Sequence, residues 1–182
     1  MLWSALLPSP SAGTVPPTEA APQRALATWA LQFTPRVALA DEAVLMEVAA
    51  SARLFGGRRA LRDRVLHEAR ELGVARLAWA PNGLAALALA RAGIENGFQR
   101  PLAALLDTLP METLSAVQPH RLTLEHIGCR TLGDVRALPR SGLGRRFDQL
   151  LLQALDQAFT AAPEAHDWVT LPEQFEERLE LM

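Results

Sequence analysis

Two adjacent acidic residues, Asp41 and Glu42, are the residues of this chain whose type and position are best suited to chemistry. Apolar segments flank the pair at 37–39 and 43–48, and their alternation predicts a strand that crosses it. Adjacent strand residues point to opposite faces, so both carboxylates can hold one ion only if the strand bends or a loop intervenes. Two interpretations stay open. The pair is either a charged strand edge or the remainder of a two-metal nucleotidyl-transfer site, in which carboxylates hold Mg²⁺ ions.

Arginines form the second group of candidates. Residues 53–100 contain nine Arg against four acidic residues, and 121–146 contain six against two, whereas 147–182 contain one against eight. Either basic stretch could contact a nucleic-acid backbone; for the first stretch a solvated helix face is the favoured interpretation, and for the second both interpretations stay open. The residues concerned are Arg58, Arg59, Arg62 and Arg64 in the first stretch, and Arg140, Arg145 and Arg146 in the second.

Composition limits the remaining possibilities. The chain has 182 residues, 49% of them hydrophobic, and a net charge of −2, which excludes a mostly disordered or uniformly basic protein. No apolar run is long enough to predict a membrane span. The single cysteine, Cys129, excludes a disulfide framework and fits a cytoplasmic location. The histidines lack metal-ligand spacing and are interpreted as surface or packing residues: His67, His120, His126 and His166.

The predicted elements divide the chain into two parts. Up to residue 92, strands at 1–7 and 75–79 alternate with helices at 23–33, 58–72 and 81–92, and the proline-rich segment 8–22 is a loop. After Pro101 only helical segments are predicted, ending with a helix over about 143–159, and the last stretch, 168–182, reads as extended. Trp29 and Trp79 are assigned to the core, as is Gln149-Leu-Leu-Leu152, which faintly resembles a sliding-clamp peptide.

Four segments resemble segments of the Y-family of translesion DNA polymerases and follow one another in the same order along the chain. Residues 34–48 with Arg53-Leu-Phe-Gly56 are similar to the palm segment that contains the family's acidic pair. Leu77-Ala-Trp-Ala-Pro-Asn-Gly-Leu-Ala85 resembles the "GIAPNKLLAK" segment, and 124–135 resembles the thumb pattern "LGIxTxGDL". Residues 175–181 are similar to the first strand of the little-finger domain. The similarity is greatest to the catalytically degenerate, ImuB-type branch.

The resemblance implies an α+β fold in three parts. A partial polymerase palm, a small mixed sheet with helices that lacks the fingers, spans 1–100. A helical thumb-like domain spans 101–167, and 168–182 begin a little-finger domain that the chain does not complete.

Departures from the family pattern argue against polymerase activity. Residues 1–18 contain no Asp or Glu, so the first palm strand lacks its metal ligand. Gly83 stands where we place the family lysine that meets the triphosphate, and the chain has no lysine. The thumb's glycine-rich hairpin falls on Ser115-Ala-Val117, where side chains obstruct phosphate contact. Only Asp41 and Glu42 are retained from the reaction centre, as a possible Mg²⁺ site.

The function that the resemblance implies is a non-catalytic accessory role in DNA repair, translesion synthesis and damage-induced mutagenesis. The implied partners are primer-template DNA, bound weakly, and, through regions beyond these residues, a sliding clamp, an error-prone polymerase and a RecA-like protein. Two alternatives are kept. One is a residual metal-dependent nucleotidyltransferase that uses Asp41, Glu42 and a third ligand such as Glu47. The other is a simple DNA-binding module or decayed fragment.

Overall fold

A computed structural model describes residues 1–9 and 20–170, which form one four-stranded sheet and eight α-helices. The strands are β1 (Trp3–Pro8), β2 (Val37–Ala40), β3 (Ala43–Glu47) and β4 (Val74–Ala80). The helices are α1 (Ala20–Ala30), α2 (Arg58–Glu71), α3 (Gly83–Arg91), α4 (Leu102–Leu106), α5 (Arg121–His126), α6 (Leu132–Ala137), α7 (Arg140–Arg146) and α8 (Gln149–Ala158). Short 3₁₀ helices lie at Ser51–Phe55, Met111–Thr113 and Ser115–His120. The expected α+β class is confirmed.

The sheet has the strand order β2-β3-β1-β4, and all three strand pairings are antiparallel. The element order β1-α1-β2-β3-α2-β4 is that of a ferredoxin-like split βαβ motif. Because β1 lies between β3 and β4, those two strands run parallel to each other without being neighbours. The predicted mixed sheet is therefore antiparallel in its strands, and one isolated parallel bridge joins Trp79 to Asn96.

Alternation along the strands separates two apolar cores, one on each face of the sheet. Leu6, Val44 and Met46 face α1 and α2. Ala5 and Leu45 belong to the other core, which extends through α3 into the helices after residue 101. The apolar core is thus continuous between the sheet and the C-terminal helices. The division at residue 100 into palm-like and thumb-like domains stays a prediction.

The acidic pair does not lie within a strand. Ala40 pairs with Ala43, so Asp41 and Glu42 form the two-residue turn of a hairpin between β2 and β3. Asp41 has a φ of 51°, a left-handed conformation that aspartate adopts more readily than most residues. The predicted strand across the pair is therefore wrong. The sequence concealed the turn because it has no glycine or asparagine there.

The predicted helix over 143–159 is two helices, which corrects the boundary. Helix α7 ends at Arg146, and the side chain of Asp148 accepts a hydrogen bond of 2.8 Å from the backbone N–H of Leu151, so it caps α8. Helix α3 begins in the same way, because Asn82 accepts from the N–H of Ala85 at 2.7 Å. No helix within 1–9 and 20–170 is long and apolar enough to cross a membrane.

Candidate functional site

Arg91, the last residue of α3, binds both carboxylates of the hairpin turn. Its Nε donates to Glu42 Oε1 at 2.8 Å, and its Nη2 donates to Glu42 Oε2 at 2.7 Å and to Asp41 Oδ2 at 2.9 Å. The guanidinium therefore forms a two-bond fork with Glu42 and a third bond with Asp41, which is the planar geometry that arginine offers to carboxylates.

The same arginine also joins the turn to the 3₁₀ segments that follow α4. Its Nη1 donates to the carbonyl of Thr113 at 2.9 Å and to the hydroxyl of Ser115 at 2.8 Å. The Ser115 hydroxyl in turn donates to Asp41. The cluster of Asp41, Glu42, Arg91, Thr113 and Ser115, here called the arginine clamp, connects the sheet, α3 and the segment 111–120.

The single positive charge of Arg91 offsets one of the two negative charges of the turn. The hydrogen bonds from Arg91 hold the pKa of the Glu42 carboxyl below its ordinary value, against the opposing effect of partial burial. Burial of the Arg91 guanidinium by itself lowers its pKa, but the hydrogen bonds and charges of Glu42 and Asp41 outweigh that effect and raise it. Arg91 is only 16% exposed, whereas the two carboxylates are about half exposed. The two carboxylates thus hold the Arg91 guanidinium, and this contact fixes the turn between β2 and β3.

Among the described residues, no third acidic ligand lies beside the pair. Strand β1 runs next to β3 with Leu6 opposite Val44, and the residues that follow toward the turn are Leu7 and Pro8. Within residues 1–9 and 20–170, no group of three or more His, Cys, Asp or Glu side chains is arranged to hold a metal ion.

Glu47, considered above as a third ligand, is excluded by its place on β3. It ends the five-residue strand that Ala43 begins, which puts about 17 Å of strand between it and Glu42. Its carboxylate instead binds Arg36 at 3.2 Å and the backbone N–H of Ala49 at 2.9 Å.

Gly83 lies at the opposite end of α3 from Arg91, so about 12 Å of helix separates it from the clamp. A lysine there would be remote from an ion on Asp41 and Glu42, so the structure gives no support to its assignment as the lost triphosphate contact. A Cβ on Gly83 would meet Glu164 Oε2 at 2.8 Å and Trp3 at 3.2 Å. Close packing requires the glycine.

The N-terminus of α3 binds a carboxylate that the sequence did not reveal. Glu164 accepts hydrogen bonds from the backbone N–H groups of Gly83 and Leu84 at 3.0 and 2.9 Å, and His166 contacts it at 2.8 Å. Glu164 is 7% exposed. Eighty residues separate these partners in the chain, and no local pattern marks such a pairing.

Aromatic packing holds the same segment against the sheet. Trp168 stacks on Trp3, with ring centroids 6.1 Å apart, and His166 lies against both rings. The backbone N–H of Val169 donates to the carbonyl of Val37 on β2 at 2.7 Å. Residues 163–169 therefore form a strap across one end of the sheet. The rest of the predicted little-finger start, 171–182, lies outside the described residues, as do residues 10–19 of the proline-rich segment predicted as a loop.

The thumb segment aligned with the family's glycine-rich hairpin is a 3₁₀ helix. Val117 is fully buried, and Ser115 belongs to the arginine clamp. These side chains pack within the protein at a place where the resemblance implies backbone contact with phosphate.

The predicted DNA-binding arginines fall into two separate groups. Arg145 and Arg146 are exposed at the end of α7, whereas Arg140 forms two hydrogen bonds with Asp156 at 2.9 and 2.7 Å. Arg58 and Arg59 are exposed at the start of α2, which packs on the other face of the sheet. The structure therefore does not bring the two groups together.

The remaining polar candidates have packing or capping contacts. His120 contacts Asp148 at 3.0 Å, and the exposed His67 lies 3.6 Å from Glu71. His126 contacts the carbonyl of Leu122. Cys129 is buried, and burial raises the pKa of its thiol, which disfavours reactivity.

The predicted core assignments differ in detail. Trp79 is fully buried, as predicted, while Trp29 is half-buried and donates to Glu68 at 3.1 Å. Within 149–152, the segment that resembles a sliding-clamp peptide, Leu151 is buried but Leu150 is 68% exposed.

Comparison with known proteins identifies relatives of this chain. It is 34% identical over 154 residues to Protein ImuB of Caulobacter vibrioides, in strain NA1000 and in strain ATCC 19089. The alignment covers 82% of this chain and 34% of ImuB, so the chain spans about a third of the length of these curated relatives. No protein-family model matches the chain.

Solved structures agree on the fold. DinB from Sulfolobus solfataricus superposes with a TM-score of 0.58 at 17% identity, covering 82% of this chain and 47% of that one. A ternary complex of Dbh gives a TM-score of 0.57 at 16% identity with the same coverage. At such identities the similarity concerns the fold alone. The chain is therefore ImuB-like in sequence and has the fold of the Y-family DNA polymerases.

Proposed function

We propose that this chain is a non-catalytic, Y-family polymerase-like part of an accessory protein in DNA repair, acting in translesion synthesis and damage-induced mutagenesis. The observation that carries the proposal is the arginine clamp, in which Arg91 binds Asp41 and Glu42 together. A two-metal centre needs those carboxylates as metal ligands and at least one further bridging carboxylate. The Arg91 guanidinium competes with metal ions for the carboxylates of Asp41 and Glu42. Leu7 and Pro8 stand at the strand end that would supply the further bridging carboxylate.

The clamp does not fit a divalent cation. A positive guanidinium within 3 Å of both carboxylates repels a second cation and uses the oxygen atoms that would bind it. We therefore propose that no metal cofactor is required and that Mg²⁺ is not held at this turn. A sliding clamp, an error-prone polymerase and a RecA-like protein remain proposed partners of the longer protein, and a cytoplasmic location follows from that role.

Primer extension tests the absence of catalysis. With Mg²⁺ or Mn²⁺, we expect the wild-type chain and Asp41→Ala to give the same background incorporation, because neither holds a two-metal centre. The assay uses a labelled primer-template, and the related Dbh DNA polymerase serves as positive control. Incorporation above background that Asp41→Ala abolishes would establish the residual nucleotidyltransferase instead.

Weak DNA binding is proposed for Arg145 and Arg146, because both are exposed and neither forms an ion pair within the described residues. Each phosphate contact contributes about 0.9 to the slope of log affinity against log salt. We therefore expect Arg145→Ala/Arg146→Ala to reduce that slope by about 2. Fluorescence anisotropy with a labelled primer-template over a salt series measures it.

The matched control for DNA binding is Arg24→Ala/Arg100→Ala, which removes two exposed arginines at other places on the surface. It should leave the slope close to that of the wild type. An unchanged slope in Arg145→Ala/Arg146→Ala would remove the assignment to α7.

A further inference from the structure

A groove on the face opposite the thumb-like helices has no part in the function proposed above. It runs between α2 and the outer edge of β4 as two adjoining depressions of about 220 and 420 Å³, which share Leu66 and Glu95. Five arginines line it, and we call it the arginine groove: Arg58, Arg59, Arg62, Arg70 and Arg76.

The groove arginines form no ion pair with any described residue. Other arginines of the chain do form close ion pairs, as Arg64 does with Glu68 at 2.7 Å and Arg121 with Glu125 at 2.7 Å. In the groove, Arg62 lies over the ring of Trp79 at 5.5 Å, and the carboxylates of Asp63 and Glu95 are the acidic groups present. The guanidinium of Arg76 is already engaged, because it donates to the carbonyl of Arg91 at 2.6 Å. The other four arginines stand against two carboxylates, which leaves an excess charge of +2 in the groove.

The floor of the groove includes the outer edge of β4, which residues 95–97 cover at Trp79 and leave open at Leu77. The N–H of Trp79 donates to the carbonyl of Glu95, and its carbonyl accepts from Gly97, both at 2.8 Å, so the backbone of Trp79 points away from β1. Leu77 lies two residues earlier on the same strand and points the same way. Within the described residues, no backbone group pairs with Leu77 on that side.

We propose that the arginine groove is a docking site for an extended acidic peptide of a partner protein, which adds to the sheet at β4 and pairs with Leu77. Adding a strand satisfies an open edge, and pockets for alternate side chains supply specificity. In such a strand, acidic residues two apart lie about 6.8 Å from each other on one face. That face would contact the arginines of α2, while Leu66 offers an apolar contact between them.

The groove favours a peptide over a nucleic acid. A sugar-phosphate backbone carries a negative charge at every nucleotide, and Glu95, at the junction of the two depressions, repels it there. A peptide can place a neutral residue beside Glu95 and acidic residues beside the arginines. It also supplies the amide and carbonyl groups that an open strand edge accepts.

The test is binding of a blocked, fluorescein-labelled peptide in which glutamate alternates with threonine, measured by anisotropy on the full chain. A peptide with glutamine in place of glutamate and a single-stranded oligonucleotide are the comparison probes. We expect the glutamate peptide to bind at least about tenfold more tightly than the glutamine peptide, because several charge pairs are lost in the latter.

Charge reversal locates the site. Arg59→Glu/Arg62→Glu should weaken peptide binding by about tenfold or more, whereas Arg24→Glu/Arg100→Glu, with the same change in net charge at other exposed positions, should change it little. Glu95→Gln should strengthen it. Equal losses in both double variants would overturn the proposal, and so would an oligonucleotide that binds the groove more tightly than the peptide.

Hydrogen exchange tests the strand pairing apart from the charge. Peptide binding should slow exchange of the Leu77 amide, while the Trp79 amide, already paired with Glu95, should change little. Binding that leaves the Leu77 amide unprotected would overturn docking at the strand edge. Neither result depends on whether the chain is catalytic or binds DNA.

Discussion

Replacing Arg91 by alanine is expected to lower the free energy of unfolding by about 2–3 kcal/mol, because it removes five hydrogen bonds and leaves two adjacent carboxylates without a counter-charge. This loss of stability is smaller than for a fully buried ion pair, because Asp41 and Glu42 are about half exposed and water screens their charges. Urea denaturation followed by circular dichroism measures it.

Variants of the same cluster separate charge from shape. Arg91→Lys keeps the charge but cannot form the fork to Glu42, so its stability should lie between those of wild type and Arg91→Ala. Adding Asp41→Asn/Glu42→Gln to Arg91→Ala should recover part of the loss, because it removes the uncompensated charges. The matched control is Arg121→Ala, which breaks an exposed pair with Glu125 and should cost at most about 0.5 kcal/mol. A loss in Arg91→Ala no larger than this would mean that the clamp does not stabilise the fold.

The arginine clamp also predicts that the stability of the fold decreases in acid. Because Arg91 lowers the pKa of Glu42 in the folded chain, the stabilisation is complete above the ordinary value of 4.5 and is lost as pH falls through the lowered folded value. Glu42→Gln should therefore lose less stability than the wild type between neutral pH and the acid range. Thermal unfolding over a pH series checks this, and equal pH profiles in the two chains would contradict it.

The elements of the fold were largely predictable because local patterns determine them. The apolar stripe of Leu61, Val65 and Ala69 predicted α2, and the sequence before Gly83 predicted β4. Errors arose where tertiary contacts decide the structure. Ala40 and Ala43 gave no turn signal around Asp41 and Glu42, and a single cap, Asp148, divides what reads as one helix.

The candidate site was predictable in part. Its acidic pair was recognisable from flanking sequence and resemblance, but its partner was not. Arg91 lies fifty residues from Asp41 in the chain and reads as one arginine at a helix end. Glu164 lies eighty residues from Leu84 and reads as part of a polar loop. Such long-range pairing of single charges leaves no periodic pattern, so only the fold reveals it.

Both ends of α3 thereby take part in charged contacts within the chain. Arg91 at its C-terminus binds the two carboxylates of the hairpin, and Glu164 binds its N-terminal N–H groups, where a carboxylate is favoured by the helix dipole. A polymerase needs charged groups at its centre to be available to metal ions and substrate. Here they are used to hold the chain together, which agrees with the non-catalytic role proposed.

The second large effect is expected at the strap. Replacing Glu164 by alanine should lower the free energy of unfolding by about 2 kcal/mol, because Gly83 and Leu84 lose a buried, charged acceptor at the start of α3. His166 loses its contact as well, so the stack of Trp168 on Trp3 should loosen. Urea denaturation gives the energy, a red shift of tryptophan emission in the native chain reports the loosening, and limited proteolysis should cut within 160–170 sooner than in the wild type.

Two controls identify the charge as the cause. Glu164→Gln retains one carbonyl acceptor without the charge, so its loss should be about half that of the alanine variant. Asp167→Ala removes an exposed carboxylate from the same strap and should stay within about 0.5 kcal/mol of the wild type. If Asp167→Ala destabilised the chain as much as Glu164→Ala, general charge on the strap would be responsible. A proteolysis pattern in Glu164→Ala identical to that of the wild type would show that the carboxylate does not hold the strap, and that aromatic packing on Trp3 suffices.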